Sequence, residues 1–283
     1  MKYIKLLWFD IRNGMMRNPM LFVVPVIVTL IACFALSNNV SSLNEVGYFG
    51  AEKKGTFADN IMFIYGGMDK YVPDLSDPFV FPVRWVIVFL TLSFITSNYP
   101  YKDMQGFGQQ ILLRTQGRTV WWLSKCGWNI LCSLVYHCLI FGTAVLFCLA
   151  VKGSLYGEIN KELQYAVFEV GMGSILPDDT PWPFAILVIP VLISLGINLL
   201  QMTLSLFIKP IFSFFIVAFL MISSAYFMSP YLIGNYAMPI RYGMVIKDGV
   251  GIAIGLAVSS VLIIISVGVG MIRFHYYDIL NEE

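Results

Sequence analysis

Six stretches of this chain are nearly unbroken in apolar residues, and polar or aromatic segments separate them. They run from about Leu21 to Leu36, Phe79 to Ser97, Cys126 to Val151, Trp182 to Phe207, Ile211 to Met228 and Gly249 to Ile272. A helix rises about 1.5 Å per residue, so about 20 residues cross some 30 Å of hydrocarbon. The pattern therefore predicts an all-α polytopic membrane protein with six transmembrane helices, the first of them the shortest. Ile208-Lys209-Pro210 alone joins spans four and five, and proline there breaks the helix and allows a tight hairpin. Gly251 and Gly255, with Gly268 and Gly270 beyond, permit close helix packing in span six.

Between the spans the pattern changes character. Ahead of span one, Lys2 to Asn18 is amphipathic: Ile4, Trp8, Ile11 and Met15 share a narrow stripe, with Lys2, Lys5, Arg12 and Asn13 on the other side. Such a helix lies in the membrane interface, as a simple anchor or as an elbow that couples span one to a cytoplasmic partner. Asn18-Pro19 then turns the chain into span one. Residues 37–78 hold Tyr48, Phe49, Phe57, Phe63, Tyr65 and Tyr71 among glycines and acids, which predicts a small packed cap rather than a linker. Residues 152–181 form a second long loop, with a short helix predicted over Glu158 to Val170. No internal repeat divides the chain, so 1–283 is expected to be one membrane domain.

Composition agrees with the pattern. The chain is 58% hydrophobic and only 12% charged, about half the charge of a soluble domain, and its mean hydropathy is +0.76. The net charge of +1 is uninformative, but its distribution is not. One set of span ends carries ten Lys and Arg against five acids, and the other carries eight against twelve. By the positive-inside bias the first set, with both termini, is cytoplasmic, and loops 37–78 and 152–181 are outside. The N-terminal segment is basic but interrupted by charges, so it lacks the apolar core of a signal peptide. Cys33, Cys126, Cys132, Cys138 and Cys148 lie in or beside apolar spans without a CxxC spacing and are expected to act as small hydrophobes.

The chain has no GxxxxGK[ST] loop, no HExxH, no GxSxG and no Cys/His cluster. No catalysis, cofactor, metal or nucleic acid is expected in this chain. No span carries a central carboxylate, which argues against an ion-coupled transporter. His137, within span three, is either an interior residue bonded to a neighbouring helix or a proton or substrate contact. His275 follows Arg273 at the end of span six, where an interfacial role is expected. Arg84, beside Trp85 near the outer end of span two, either snorkels to water or meets a substrate or partner chain.

The segment 102–118 is more elaborate than a connector needs to be. Pro100 ends span two, and Gly106 to Arg114 makes about two helical turns. Phe107 and Ile111 lie on one face, and Gln110 and Arg114 on another. Thr115-Gln116-Gly117-Arg118 breaks the helix, and Trp121 and Trp122 re-enter the membrane at headgroup level. Physically this is either a passive surface helix or a lever gripped by a partner.

The basic amphipathic N-terminal helix, the Arg17-Asn18-Pro19 entry, the six spans, "ILLRTQGRTVWWLSK" and "GNYAMPIR" (Gly234 to Arg241) together resemble permease subunits of ABC-2 type (type V) ABC transporters, with the last motif close to firmicute members. The resemblance covers essentially the whole chain, which departs from the simplest members in its long outer loops. It implies a multi-pass protein of the bacterial plasma membrane that pairs with a second permease chain as homodimer or heterodimer. Two copies of an ABC ATPase subunit, holding Mg-ATP, would supply the energy. The segment with Asp103, Gln105, Phe107, Gln110, Ile111, Arg114 and Arg118 would be the coupling helix. A translocation path along spans two and five would be lined by Arg84, Phe89, Phe94, Phe212, Phe215, Phe219 and Tyr226, each of which also serves as ordinary helix packing. The expected function is export of an amphiphile such as a peptide, an antimicrobial or a lipid-like molecule. The alternative is a non-transporting immunity or sensor protein that binds a peptide through its outer loops.

Overall fold

The computed structural model describes residues 2–73, 78–115, 117–155, 159–168 and 182–277, and among these the chain is helical without strands. In chain order the helices are α1 (Lys2–Asp10), α2 (Met20–Glu45), α3 (Phe57–Tyr65), α4 (Val83–Ser97), α5 (Tyr99–Met104), α6 (Phe107–Thr115), α7 (Arg118–Ala150), α8 (Lys161–Phe168), α9 (Trp182–Leu204), α10 (Pro210–Tyr226) and α11 (Ile252–His275). A wide π-helical turn, Ile11–Met15, extends α1.

Helices α2, α7, α9 and α11 are long and apolar enough to cross a membrane. Helix α9 is the centre of the bundle: 72% of its apolar window is buried, against 17% for α11. Helices α4 and α10 are apolar but shorter, at 15 and 17 residues. The predicted second span began at Phe79, yet α4 starts only at Val83. Pro82 holds the preceding Phe81 out of the helical region. At its other end α4 leads through Asn98 straight into α5.

Two further boundaries differ from the sequence expectation by eight residues or more. Helix α2 runs nine residues beyond Leu36, through Ser37 to Glu45. The polarity of that stretch marks its exit from the apolar layer, not the end of the helix. Its tip is tied down because Asn44 Nδ2 donates to Lys53 O at 2.8 Å and Lys53 N donates back to Asn44 Oδ1 at 3.0 Å. Helix α7 begins at Arg118, eight residues before the predicted span. As a result Trp121 and Trp122 are not headgroup anchors but buried interhelical wedges, 2% and 1% exposed. The Trp121 ring stacks on Phe274 at 4.7 Å, and Trp122 Nε1 donates to Val267 O at 3.0 Å. Thr115 does end α6, as the break there predicts.

Within residues 37–78 the chain forms a short buried helix, α3. Thr56 and Asp59 close a capping box at the start of α3: Thr56 N donates to Asp59 Oδ2 at 2.9 Å, and Asp59 N donates to Thr56 Oγ1 at 3.1 Å. Every residue from Ala58 to Tyr65 is buried, against α2, α4, α7 and α9. In the second loop the predicted 158–170 helix appears as α8, and residues 156–158 and 169–181 lie outside the described residues. Among the cysteines Cys138 is exposed and the other four are buried, all as free thiols.

Gly255 lies against Ile189 and Tyr236, and a side chain on Gly270 would enter the indole of Trp122, so α11 packs closely within the chain at these glycines. Substituting Gly270→Ala should overpack this contact, costing about 1–3 kcal/mol, and lower the thermal midpoint of the detergent-solubilised protein. The matching Gly268→Ala, which meets open space within α11, should not lower that midpoint and should raise it slightly through helix propensity.

Candidate functional site

At the bundle end that carries α1 and α6, three charged side chains are buried together. Lys125 Nζ, on the first turns of α7, forms ion pairs with Asp10 of α1 and, at 2.6 Å, with Asp103 of α5. Lys125 and Asp10 are fully buried and the Asp103 side chain is 7% exposed. Asp10 also accepts from Tyr99 Oη at 2.9 Å and from Ser124 Oγ at 2.6 Å. The ammonium sits over the rings of Tyr99 and Trp121, 4.7 and 4.8 Å from their centroids. Burial, then the charges of Asp10 and Asp103, push the Tyr99 hydroxyl well above its usual range, so it stays a neutral donor. Gly14 is required beside it, because a Cβ there would stand 2.5 Å from the Tyr99 ring.

This joint determines how α1 sits. The predicted apolar stripe is divided: Ile4 and Trp8 point away from the protein, 70% and 59% exposed, whereas Ile11 and Met15 are half-buried and Met15 packs against the core. A different face, with Asp10 and Gly14 at its centre and Leu6 and Leu7 half-buried beside them, docks on α7. Helices α1, α5 and α7 are thereby pinned to one lysine.

The predicted coupling residues divide between inside and outside. Asp103 faces Lys125. Arg118 also turns inward, its Nη1 donating to the carbonyls of His275 at 2.8 Å and Tyr277 at 2.7 Å. Gln105 and Gln110 are exposed and Ile111 is half-buried. The side chains of Phe107 and Arg114 lie outside the described residues, although their backbone belongs to α6.

The predicted path residues divide too. Phe89 is 2% exposed, wedged between Trp85 and Tyr65. Phe94, Phe212, Phe215 and Phe219 are 49–71% exposed, forming an outward aromatic surface on α4 and α10 with Phe94 and Phe214 in edge contact at 5.6 Å. Tyr226 belongs to an aromatic cluster at the opposite bundle end, 5.3 Å from Tyr71 and 5.2 Å from Phe79. Arg84 lies at that end as well, its guanidinium 3.6 Å over the ring of Phe63, at the mouth of a 560 Å³ cavity.

Inside the bundle a neutral polar seam joins α4, α7 and α9. Ser93 Oγ donates to Asn198 Oδ1 at 2.8 Å, Asn198 Nδ2 donates to Ser133 Oγ at 3.4 Å, and Gln201 Nε2 donates to Ser93 O at 3.2 Å. His137 is held as the interior reading expects, with its Nδ1 2.6 Å from Tyr65 Oη of α3. Apart from the three charges at Lys125, the seam is uncharged, and it fixes which helix faces meet. Among the described residues no three of His, Cys, Asp and Glu converge as metal ligands.

Two features went unnoticed in the sequence. One is the Asp10–Lys125–Asp103 joint. The other is Arg241, fully buried in the turns that follow α10. Its Nε donates to Met68 O at 2.9 Å, its Nη1 to Ser224 O at 2.5 Å and to Asn235 Oδ1, and its Nη2 to Ala225 O at 2.7 Å and Asp69 O at 3.1 Å. Burial lowers its pKa to about 10, opposed by Asp69, so it remains charged at neutral pH. A family model described as "Protein of unknown function (DUF2705)" matches residues 26–280. No curated protein and no solved structure matches the chain.

Proposed function

The chain belongs to the DUF2705 family of proteins of unknown function, and from that premise we propose that it is the membrane-spanning permease subunit of an ATP-driven transporter. In this reading α2, α4, α7, α9, α10 and α11 are the six spans, with α4 and α10 completed by the turns that adjoin them. Both termini and α5–α6 face the cytoplasm. A separate ATPase subunit binds Mg-ATP, a second permease chain completes the pathway, and the cargo is an amphiphile.

The observation that carries this reading is the buried joint at Lys125. A passive surface helix needs only an apolar face toward lipid. Here the segment beneath α4 is instead locked through Asp103 to α7 and through Lys125 to α1. A force applied to α5–α6 is passed to three helices at once, because separating the ions would strand charges in a dry interior. Exposed Gln110 leaves polar surface on the segment for a partner. The exposed phenylalanines of α10, Phe212, Phe215 and Phe219, are the surface on which a second permease chain would close.

The test is co-expression of the full chain with candidate P-loop ATPase subunits. The wild type should retain an ATPase through purification. Replacing Ile111 and Arg114 together, by Asp and Glu, should weaken that association about tenfold or more while the permease still inserts in the membrane. Unchanged association and unchanged ATPase stimulation would overturn the coupling role. Failure of any ATPase to bind the wild type would overturn the transporter reading and favour a peptide-binding immunity or sensor protein.

A further inference from the structure

We propose that the cavity beside Arg84 is a binding site for the phosphodiester headgroup of an anionic membrane lipid. The cavity has a volume of 560 Å³ and lies between α3, the 67–71 loop and the start of α4. Among the described residues the Arg84 guanidinium makes no hydrogen bond and no ion pair; its one partner is the face of Phe63. A cation stacked on an aromatic face keeps its in-plane N–H donors free, and a planar fork of such donors suits two oxygens of a phosphate.

The charge of the site selects the class of anion. Among the described residues Arg84 and Lys70 contribute two positive charges and Asp69 one negative, so the described lining carries a net charge of +1. The first turn of α4, where Arg84 sits, adds the partial positive charge of its N-terminal end, although Val83 N is already taken by Phe81 O at 2.8 Å. A monoanion such as a phosphodiester balances this lining, whereas a dianion would be repelled by Asp69.

The surface leading from the cavity selects a lipid over a free anion. Val80 and Val83 at the rim are 73% and 53% exposed, and below them Ile87 and Phe94 are 38% and 49% exposed on α4. Val83, Ile87 and Phe94 are spaced i, i+4 and i+11, so they form one continuous stripe running away from Arg84 along the helix. A charged mouth at the head of an apolar stripe is the footprint of an amphiphile with its headgroup at Arg84 and its acyl chains on α4. The proposal does not depend on any ATPase partner.

The test uses the purified full-length chain and native mass spectrometry, with dioleoyl-phosphatidylglycerol, dioleoyl-phosphatidylcholine and inorganic phosphate as probes. One phosphatidylglycerol should be retained in preference to phosphatidylcholine and should raise the thermal midpoint. Losing a charge-assisted contact in Arg84→Gln should weaken that retention about tenfold, with Arg84→Lys intermediate. Lys70→Ala, at an exposed position, should weaken it less and guards against a folding defect in the Arg84 variants. Equal retention of the two lipids, or retention unchanged in Arg84→Gln, would overturn the site. Displacement of the lipid by millimolar inorganic phosphate would show a free-anion site and overturn its assignment to lipid.

Discussion

Replacing Lys125 with methionine should be among the most damaging single substitutions in the chain. Among the described residues Lys125 is the one cation paired with two buried carboxylates, Asp10 and Asp103. Methionine fills similar volume but leaves both acids without a counter-charge, and breaking a buried pair in this way costs about 3–5 kcal/mol. For a chain of this size that corresponds to a loss on the order of 10 °C in thermal midpoint, read by fluorescence-detected gel filtration after heating. The sharper measurement is rescue. In the triple variant Asp10→Asn, Asp103→Asn, Lys125→Met no charge remains at the joint; at position 10 the amide oxygen can accept from Tyr99, and the amide NH2 can donate to the Ser124 hydroxyl, which then acts as acceptor. Such a neutral replacement should recover most of the lost stability. Transport, however, should not recover with it, because the ionic lock between α1, α5 and α7 is gone. If the single variant melts like the wild type, the joint does not hold these helices together. If the triple variant restores coupling along with stability, the ions are only a structural filling.

The bundle was largely visible in the sequence, because apolar runs near 20 residues report directly on the surroundings that a helix must have. Polarity, though, reports where a helix leaves the apolar layer, not where it ends. That is why α2 overran Leu36 into Ser37–Glu45 and α7 began at Arg118 rather than Cys126. Trp121 and Trp122 were misplaced for a related reason: tryptophan suits both a headgroup layer and a helix contact. Only the approach of α11, with Gly270 facing Trp122, decides between them.

The candidate site was legible only in part. The helix–break–helix pattern of 102–118 follows from local chemistry, and it formed. The joint does not, since Asp10 and Lys125 are 115 residues apart and each looks in sequence like an ordinary interfacial charge. The hydrophobic pattern of α1 even pointed to the other face, because the stripe of Ile4 and Trp8 is turned outward and the face with Asp10 is turned to the protein. Polar seam residues Ser194, Asn198 and Gln201 did carry a signal, their i, i+4, i+7 spacing inside an apolar span. That spacing identifies a buried face but not its partners.

Arg241→Ala should prevent the chain from accumulating as a folded, monodisperse species. The guanidinium serves carbonyls from two separate regions, Met68 and Asp69 on one side and Ser224 and Ala225 at the end of α10 on the other, together with the Asn235 side chain. The last carbonyls of a helix have no partner within it, and here they are buried, so one side chain caps α10 and fastens it to the loop after α3. Each acceptor left unsatisfied costs about 1–3 kcal/mol, and a cavity opens where the side chain was. The combined loss exceeds the ~4–5 kcal/mol that marks an exceptional substitution. Arg241→Lys keeps the charge but offers a point donor in place of a fork and cannot reach both regions together. It should therefore fold in reduced yield with a lowered midpoint. Lys247→Ala, an exposed cation six residues on, should change the midpoint by no more than about 0.5 kcal/mol equivalent. Equal yields of Arg241→Ala and Lys247→Ala from membranes would show that Arg241 is not the clamp at this end of the bundle. Because the clamp also sets the 67–71 loop, Arg241→Lys should in addition loosen lipid retention beside Arg84, although residue 241 does not line that cavity.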